Sequence, residues 1–133
     1  MIGALVVTHG HLGRELVAAA EMIVGDVPMM IQAVSIGWHD DVNDAQKDIE
    51  RRIGEVDGGA GILILTDMFG GTPSNIAFSF HDPGRIDVVT GVNLPMIIKI
   101  VTQKPGDTLE SLARAVRDQG RASIATAGDF LNA

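Results

Sequence analysis

Two histidines stand one residue apart in "LVVTHGHLG", Leu5 to Gly13, where an apolar run gives way to glycines. A neutral imidazole is a nucleophile only when one ring nitrogen keeps its lone pair and a partner holds the proton on the other. A carboxylate is suited to hold it, because it fixes the tautomer, aims the ring and steadies the cation formed after attack. Asp67 closes the run "ILILTD" and reaches His9 if the two runs are neighbouring parallel strands, about 4.8 Å apart. Beyond it comes "GGT", Gly70 to Thr72, leading into "PSNIAF". Glycines let main-chain N–H groups turn towards an anion, and Thr72 adds a hydroxyl donor. Nucleophilic imidazole, orienting carboxylate and anion cradle together point to acceptance of a phosphoryl group. The residues that would hold the phosphate are Gly10, Gly70, Gly71 and Thr72.

Each part also has an ordinary structural reading. A histidine at a strand end is commonly a satisfied loop residue, an aspartate there a helix cap, and a Gly-Gly pair a tight turn. Spacing alone leaves these readings open beside the chemical one. His9 and His11 at i and i+2 on an extended segment face the same way, and Asp67 would be a third metal ligand. A helix starting by Leu12 splays the two rings apart, so no metal site is expected. A metal-dependent hydrolase is accordingly a minor reading. The chain has no GxxxxGK[ST] motif and lacks the GxGxxG spacing of a dinucleotide loop, so no nucleotide cofactor is expected. His39, in "GWHDD", reads as an exposed loop residue. His81 closes the third helix, where a partly charged imidazole suits the dipole, and receives no function.

The elements that must position these groups follow from periodicity. "MIGALVV" (1–7) reads as a strand buried on both faces, "MIQAVSI" (30–36) as a second, "ILILTD" (62–67) as the central one and "IDVVTG" (86–91) as a fourth. Between them, "LGRELVAAAEMIVG" (12–25) has Leu12, Leu16, Ala19, Ala20 and Ile23 at helical spacing, with Gly25 as its stop. In the second helix Val42, Ala45, Ile49, Ile53 and Val56 form the inner stripe. A short third helix starts at the glycine loop with Pro73 early in it. A fourth has Asn93 as N-cap and Pro95 in its first turn. The last has Leu109, Leu112, Ala113 and Val116 inward and is stopped by Gly120. "SIATA" (123–127) reads as a weak fifth strand. Alternating strands and helices with short connections predict an α/β fold: a doubly wound sandwich around a mainly parallel sheet of about four strands. Ligands of such sheets bind beyond the carboxyl ends of the strands, where "THG", "GWHDD", "TDMFGG" and "TGVN" gather.

A length of 133 residues predicts one domain, 1–133. A net charge of −7 and 4% aromatic residues argue against a nucleic-acid partner. Without cysteine there is neither a disulfide framework nor a thiolate metal site, which fits a reducing cytoplasm. No apolar run approaches the ~20 residues that span a bilayer, and the N-terminus lacks the basic start of a secretory signal.

The segments "VVTHGHLG", "AAEMIVGD", "ILILTDMFGGTPSNIA" and "VVTGVNLPMI" resemble the mannose-family EIIA domain of the bacterial phosphoenolpyruvate:sugar phosphotransferase system. The resemblance covers almost the whole chain. It implies that HPr passes a phosphoryl group to Nε2 of His9, with Asp67 holding Nδ1–H and Thr72 beside the phosphate. It further implies onward transfer to a histidine of EIIB, which serves the membrane subunits EIIC and EIID. A homodimer is implied in which the final strand, 123–127, crosses to the partner's sheet. His11 becomes a rival acceptor behind His9, and with Met68 and Phe69 a docking surface for protein partners. Two other readings of this resemblance are a regulatory phospho-acceptor that docks on a regulator, and the phosphocarrier subunit of dihydroxyacetone kinase.

Overall fold

The N-terminal apolar run forms β1 (Gly3–His9), buried along all but its last residue, in a computed structural model that describes residues 1–132. There follow α1 (Leu12–Val24), β2 (Ile31–Ile36), α2 (Val42–Val56), β3 (Ile62–Thr66), α3 (Thr72–Phe78) and β4 (Ile86–Val89). The chain ends with α4 (Leu94–Val101), α5 (Leu109–Ala122) and the short α6 (Ala127–Leu131). The strands form one wholly parallel sheet in the order β2-β1-β3-β4. The α/β expectation therefore holds, with four strands.

β1 and β3 show no alternation of polar and apolar residues because helices cover both faces of the sheet. Ala4, Val6, Leu63 and Leu65 share one core with α1, α4 and α5. Leu5, Val7, Ile62 and Ile64 share the other with α2 and α3. From β1 the chain goes to one side to make β2, then crosses to the other side to make β3. Reversal of strand order opens a crevice beyond the carboxyl ends of the two central strands. Here it opens at His9 and Thr66, and this placement is what the site depends on.

Several expectations are corrected. Leu12 and Ile23 are exposed; the inner face of α1 is Gly13, Leu16, Val17, Ala20 and Val24, a stripe of the same helical period turned part-way around the helix axis. Val42 also lies outside the core, at the solvated start of α2. Gly120 does not stop α5, which runs on to Ala122. The glycine serves packing instead, since a Cβ there would lie 2.6 Å from Sδ of buried Met96 on α4. His81 lies past the end of α3 rather than on it, with Nε2 3.9 Å from Oδ1 of Asp87. The segment 123–127 pairs with no strand among the described residues. Ser123 is the C-cap of α5, and Thr126 caps α6 by accepting a hydrogen bond from the Asp129 amide at 3.1 Å. Within the single chain that local cap holds the segment as turn and helix.

Candidate phosphoryl-acceptor site

The register brings the site together. Val7 stands opposite Thr66, so His9, the last residue of β1, comes beside Asp67, the first residue after β3. Oδ2 of Asp67 accepts two hydrogen bonds from one residue: the His9 amide at 3.0 Å and ring Nδ1 at 2.7 Å. Oδ1 accepts a third, from the Met68 amide at 3.1 Å. The backbone bond holds the carboxylate in place whatever the ring does. Burial would raise the pKa of this carboxyl, but the His9 amide and ring outweigh it and hold the pKa below the usual aspartate value. An ionised Asp67 can only accept, so Nδ1 is the donor of this bond, and in that neutral tautomer Nε2 is the nitrogen with the lone pair. Asp67 is only 11% exposed and His9 52% exposed, so the acid is sheltered while the imidazole faces outward.

The turn from β1 to α1 is built to present this ring. Thr8, fully buried, accepts the Gly13 amide on Oγ1 at 2.8 Å, which fastens the start of α1 to the strand. Gly10 has φ +54°, a left-handed conformation that favours glycine.

On the opposite side the backbone passes very close to the ring. A Cβ on Gly71 would lie 3.0 Å from Cε1 of His9 and 3.6 Å from Nε2. Gly71 has φ −86° and ψ 169°, open to any residue, so the glycine is there for space and not for backbone freedom.

The four residues expected to hold a phosphate divide. The Gly10 amide donates to the Ile36 carbonyl and the Gly70 amide to Oγ of Ser74, so neither points to an anion. Gly70, at φ +87°, is instead the turn residue. Among the described residues no hydrogen bond within the chain engages the Gly71 and Thr72 amides or the Thr72 hydroxyl. Of the four candidates, Gly71 and Thr72 are the ones whose amides are left without a partner among the described residues.

His11 begins α1 without capping it, and its Nδ1 lies 3.4 Å from Oγ of Ser35 at the edge of the same crevice. His39 is exposed in the loop after β2. Among the described residues no three metal-ligating side chains come together.

Exposed apolar side chains stand on the loops at this edge of the sheet. Met68 and Phe69 are exposed, with the Phe69 ring edge-to-face on Phe78 of α3 at 6.0 Å. Leu12 and Trp38 extend this rim. Trp38 comes two residues after Ile36, the register partner of His9, and is 94% exposed. Spacing singles out neither Trp38 nor Ser74; the sequence cue for the first is an indole placed directly after a strand end. The groove of about 520 Å³ along β4 does not include His9, which sits on an open surface.

Residues 3–117 match the family model described as "PTS system fructose IIA component". The chain is 26% identical over 132 residues to the fructose-specific EIIA component of Bacillus subtilis, covering 98% of this chain and 90% of that one. It is 28% identical over 130 residues to the mannose-specific EIIAB component of Escherichia coli K12, covering 92% of this chain but only 38% of the longer relative. Among solved structures, the mannose/sorbose-specific IIA subunit from Enterococcus faecalis superposes with a TM-score of 0.84 at 28% identity, covering 94% of this chain and 93% of that one. No described helix is long and apolar enough to cross a membrane.

Proposed function

The chain belongs to the EIIA-man family, that of the fructose IIA component of the phosphotransferase system, and on that premise we propose that Nε2 of His9 carries a phosphoryl group between two proteins. The donor is the phosphohistidine of HPr, and the acceptor is a histidine of a mannose-family EIIB that supplies the membrane subunits EIIC and EIID. In the first step the P–N bond on HPr breaks as the bond to Nε2 forms. The proton on Nδ1 stays where it is, and the ring's new positive charge falls 2.7 Å from the Asp67 carboxylate. In the second step the bond to Nε2 breaks as a P–N bond to the EIIB histidine forms, and the ring is neutral again.

Transfer of this kind passes through a loose transition state and needs in-line alignment with support for the three equatorial oxygens. The free amides of Gly71 and Thr72 and the Thr72 hydroxyl supply that support on the Nε2 side. The apolar rim of Leu12, Trp38, Met68 and Phe69 gives a protein partner a surface to bury. His11 stands at the rim and contributes to docking. The contact that carries this reading is the one between Nδ1 and Asp67, on a ring half open to solvent.

The same reading includes a homodimer. Beyond the bridge between Ile86 and Asp82, the outer edge of β4 pairs with no strand among the described residues; a groove lined by Val89, Gly91 and Arg121 runs along it, and Ile124, Phe130 and Leu131 are exposed. A partner's segment 123–127 added to that edge would cover both. Sedimentation of the full chain against a chain ending at Ala122 tests it, and a dimer that survives the truncation refutes it.

For the transfer itself, incubation with enzyme I, HPr and phosphoenolpyruvate should add one acid-labile phosphoryl group. His9→Ala should take up none, and full-rate labelling of that variant would remove the assignment.

A further inference from the structure

Ser74 lies in the first turn of α3, is fully buried, and makes no hydrogen bond to the imidazole. Its hydroxyl spans the glycine turn beside His9. Oγ accepts the Gly70 amide at 3.1 Å and donates to the Gly71 carbonyl at 3.1 Å. Both flanks of the turn are thus tied to one atom that has no solvent to turn to. The turn needs such a tie. Gly70 sits at φ +87° and neither glycine has a side chain to confine it; the Asn75 amide also holds the Gly71 carbonyl at 3.0 Å, but Ser74 ties Gly70 to Gly71. What the tie sets is the approach of Gly71 to the ring edge, where a Cβ would stand 3.0 Å from Cε1.

His9 is held on one side by a carboxylate and bounded on the other by this stretch of backbone. We propose that Ser74 is a positioning residue for transfer at His9: by locking the Gly70–Gly71 turn, its hydroxyl fixes the wall of the Nε2 side and the direction of the Gly71 and Thr72 amides. The proposal rests on the reading of His9 as phosphoryl acceptor. It goes further in giving a role to a residue remote from the reacting atoms. Ser74 acts on geometry alone, so its loss should leave the Asp67 contact, the tautomer and the exposed docking rim as they are. A displacement of order 1 Å at a reacting group can cost about a hundredfold in rate. A softened turn costs less, and a fall of roughly tenfold is expected.

The experiment uses the full chain as wild type and Ser74→Ala. Phosphoryl transfer from phospho-HPr is followed by rapid quench over a range of donor concentrations. The His9 Cε1–H resonance is recorded by NMR in the unphosphorylated protein. Expected are a lower limiting rate, an unchanged donor concentration at half-maximal rate, and a shifted Cε1–H resonance. A merely structural role would move neither the resonance nor the limiting rate once the melting curve shows both proteins folded. An unchanged limiting rate, or a lower rate with the resonance in place, overturns the proposal. A wild type that accepts no phosphoryl group refutes the functional reading instead, and the resonance alone then decides whether Ser74 positions Gly71 against the ring. Should Ser74→Ala fail to fold, Ser74→Thr keeps the hydroxyl and should retain the wild-type resonance; a shift there counts against the proposal.

Discussion

Replacing Asp67 by asparagine tests the acid without changing its shape. The wild-type carboxylate accepts the His9 amide at 3.0 Å and Nδ1 at 2.7 Å. An asparagine oxygen can keep these bonds, but without charge. Hydrogen bonds to charged groups contribute about 1.5–3 kcal/mol and neutral ones about 1 kcal/mol, so the ring loses roughly 0.5–2 kcal/mol of support when it becomes cationic. At about 1.36 kcal/mol per decade this slows transfer by roughly 2- to 30-fold. The half-open ring lets water replace part of the loss, which favours the lower figure. If the side-chain amide turns its NH₂ to the ring, Nδ1 becomes the acceptor and the proton moves to Nε2. The nucleophile is then blocked, and the loss is far larger, as in serine-protease triads where the wrong tautomer costs about 10⁴. Rapid-quench transfer from phospho-HPr gives the rate, and ¹⁵N NMR of the imidazole gives the tautomer. A wild-type rate with Nε2 still unprotonated would refute the orienting role. Stability adds a check of sign. The folded-state pKa of Asp67 is lowered, so its stabilisation is present above the unfolded aspartate value and is lost on acidification below about pH 4. The stability gap between wild type and Asp67→Asn should therefore narrow in that range.

Two further outcomes are expected. Gly71→Ala meets no backbone strain at φ −86° but sets a methyl 3.0 Å from Cε1 of His9; it should fold and melt like wild type while transfer falls roughly tenfold, which kinetics beside a thermal melt will show. Gln103→Leu abandons the Ile2 amide and carbonyl, each now 2.9 Å from the buried side-chain amide, and should cost about 2–4 kcal/mol in urea unfolding.

The parts of the fold legible in the residues were those set by long patterns. Continuous apolar runs located β1 and β3, and ladder register then made the meeting of His9 and Asp67 nearly unavoidable. Features decided by a single tertiary neighbour were not legible. Gly120 reads as a helix stop until Met96 is seen against it. "SIATA" has strand-like composition, yet within one chain Thr126 finds a cap before the segment finds a sheet. Gly10 and Gly70 look like anion binders by type, and only the partners of their amides show that they shape turns. Ser74 looks like any serine in a first helical turn, since its importance lies in which glycines it bridges.

Trp38 has a practical consequence. It is the one indole in a chain without tyrosine, so it supplies nearly all near-ultraviolet emission. Already bathed in water in the native state, it gives little spectral change on denaturation and makes a poor thermometer of folding. Standing beside the crevice, it makes a good beacon of encounter: a docked protein that covers it would shift its glow to the blue without any attached dye.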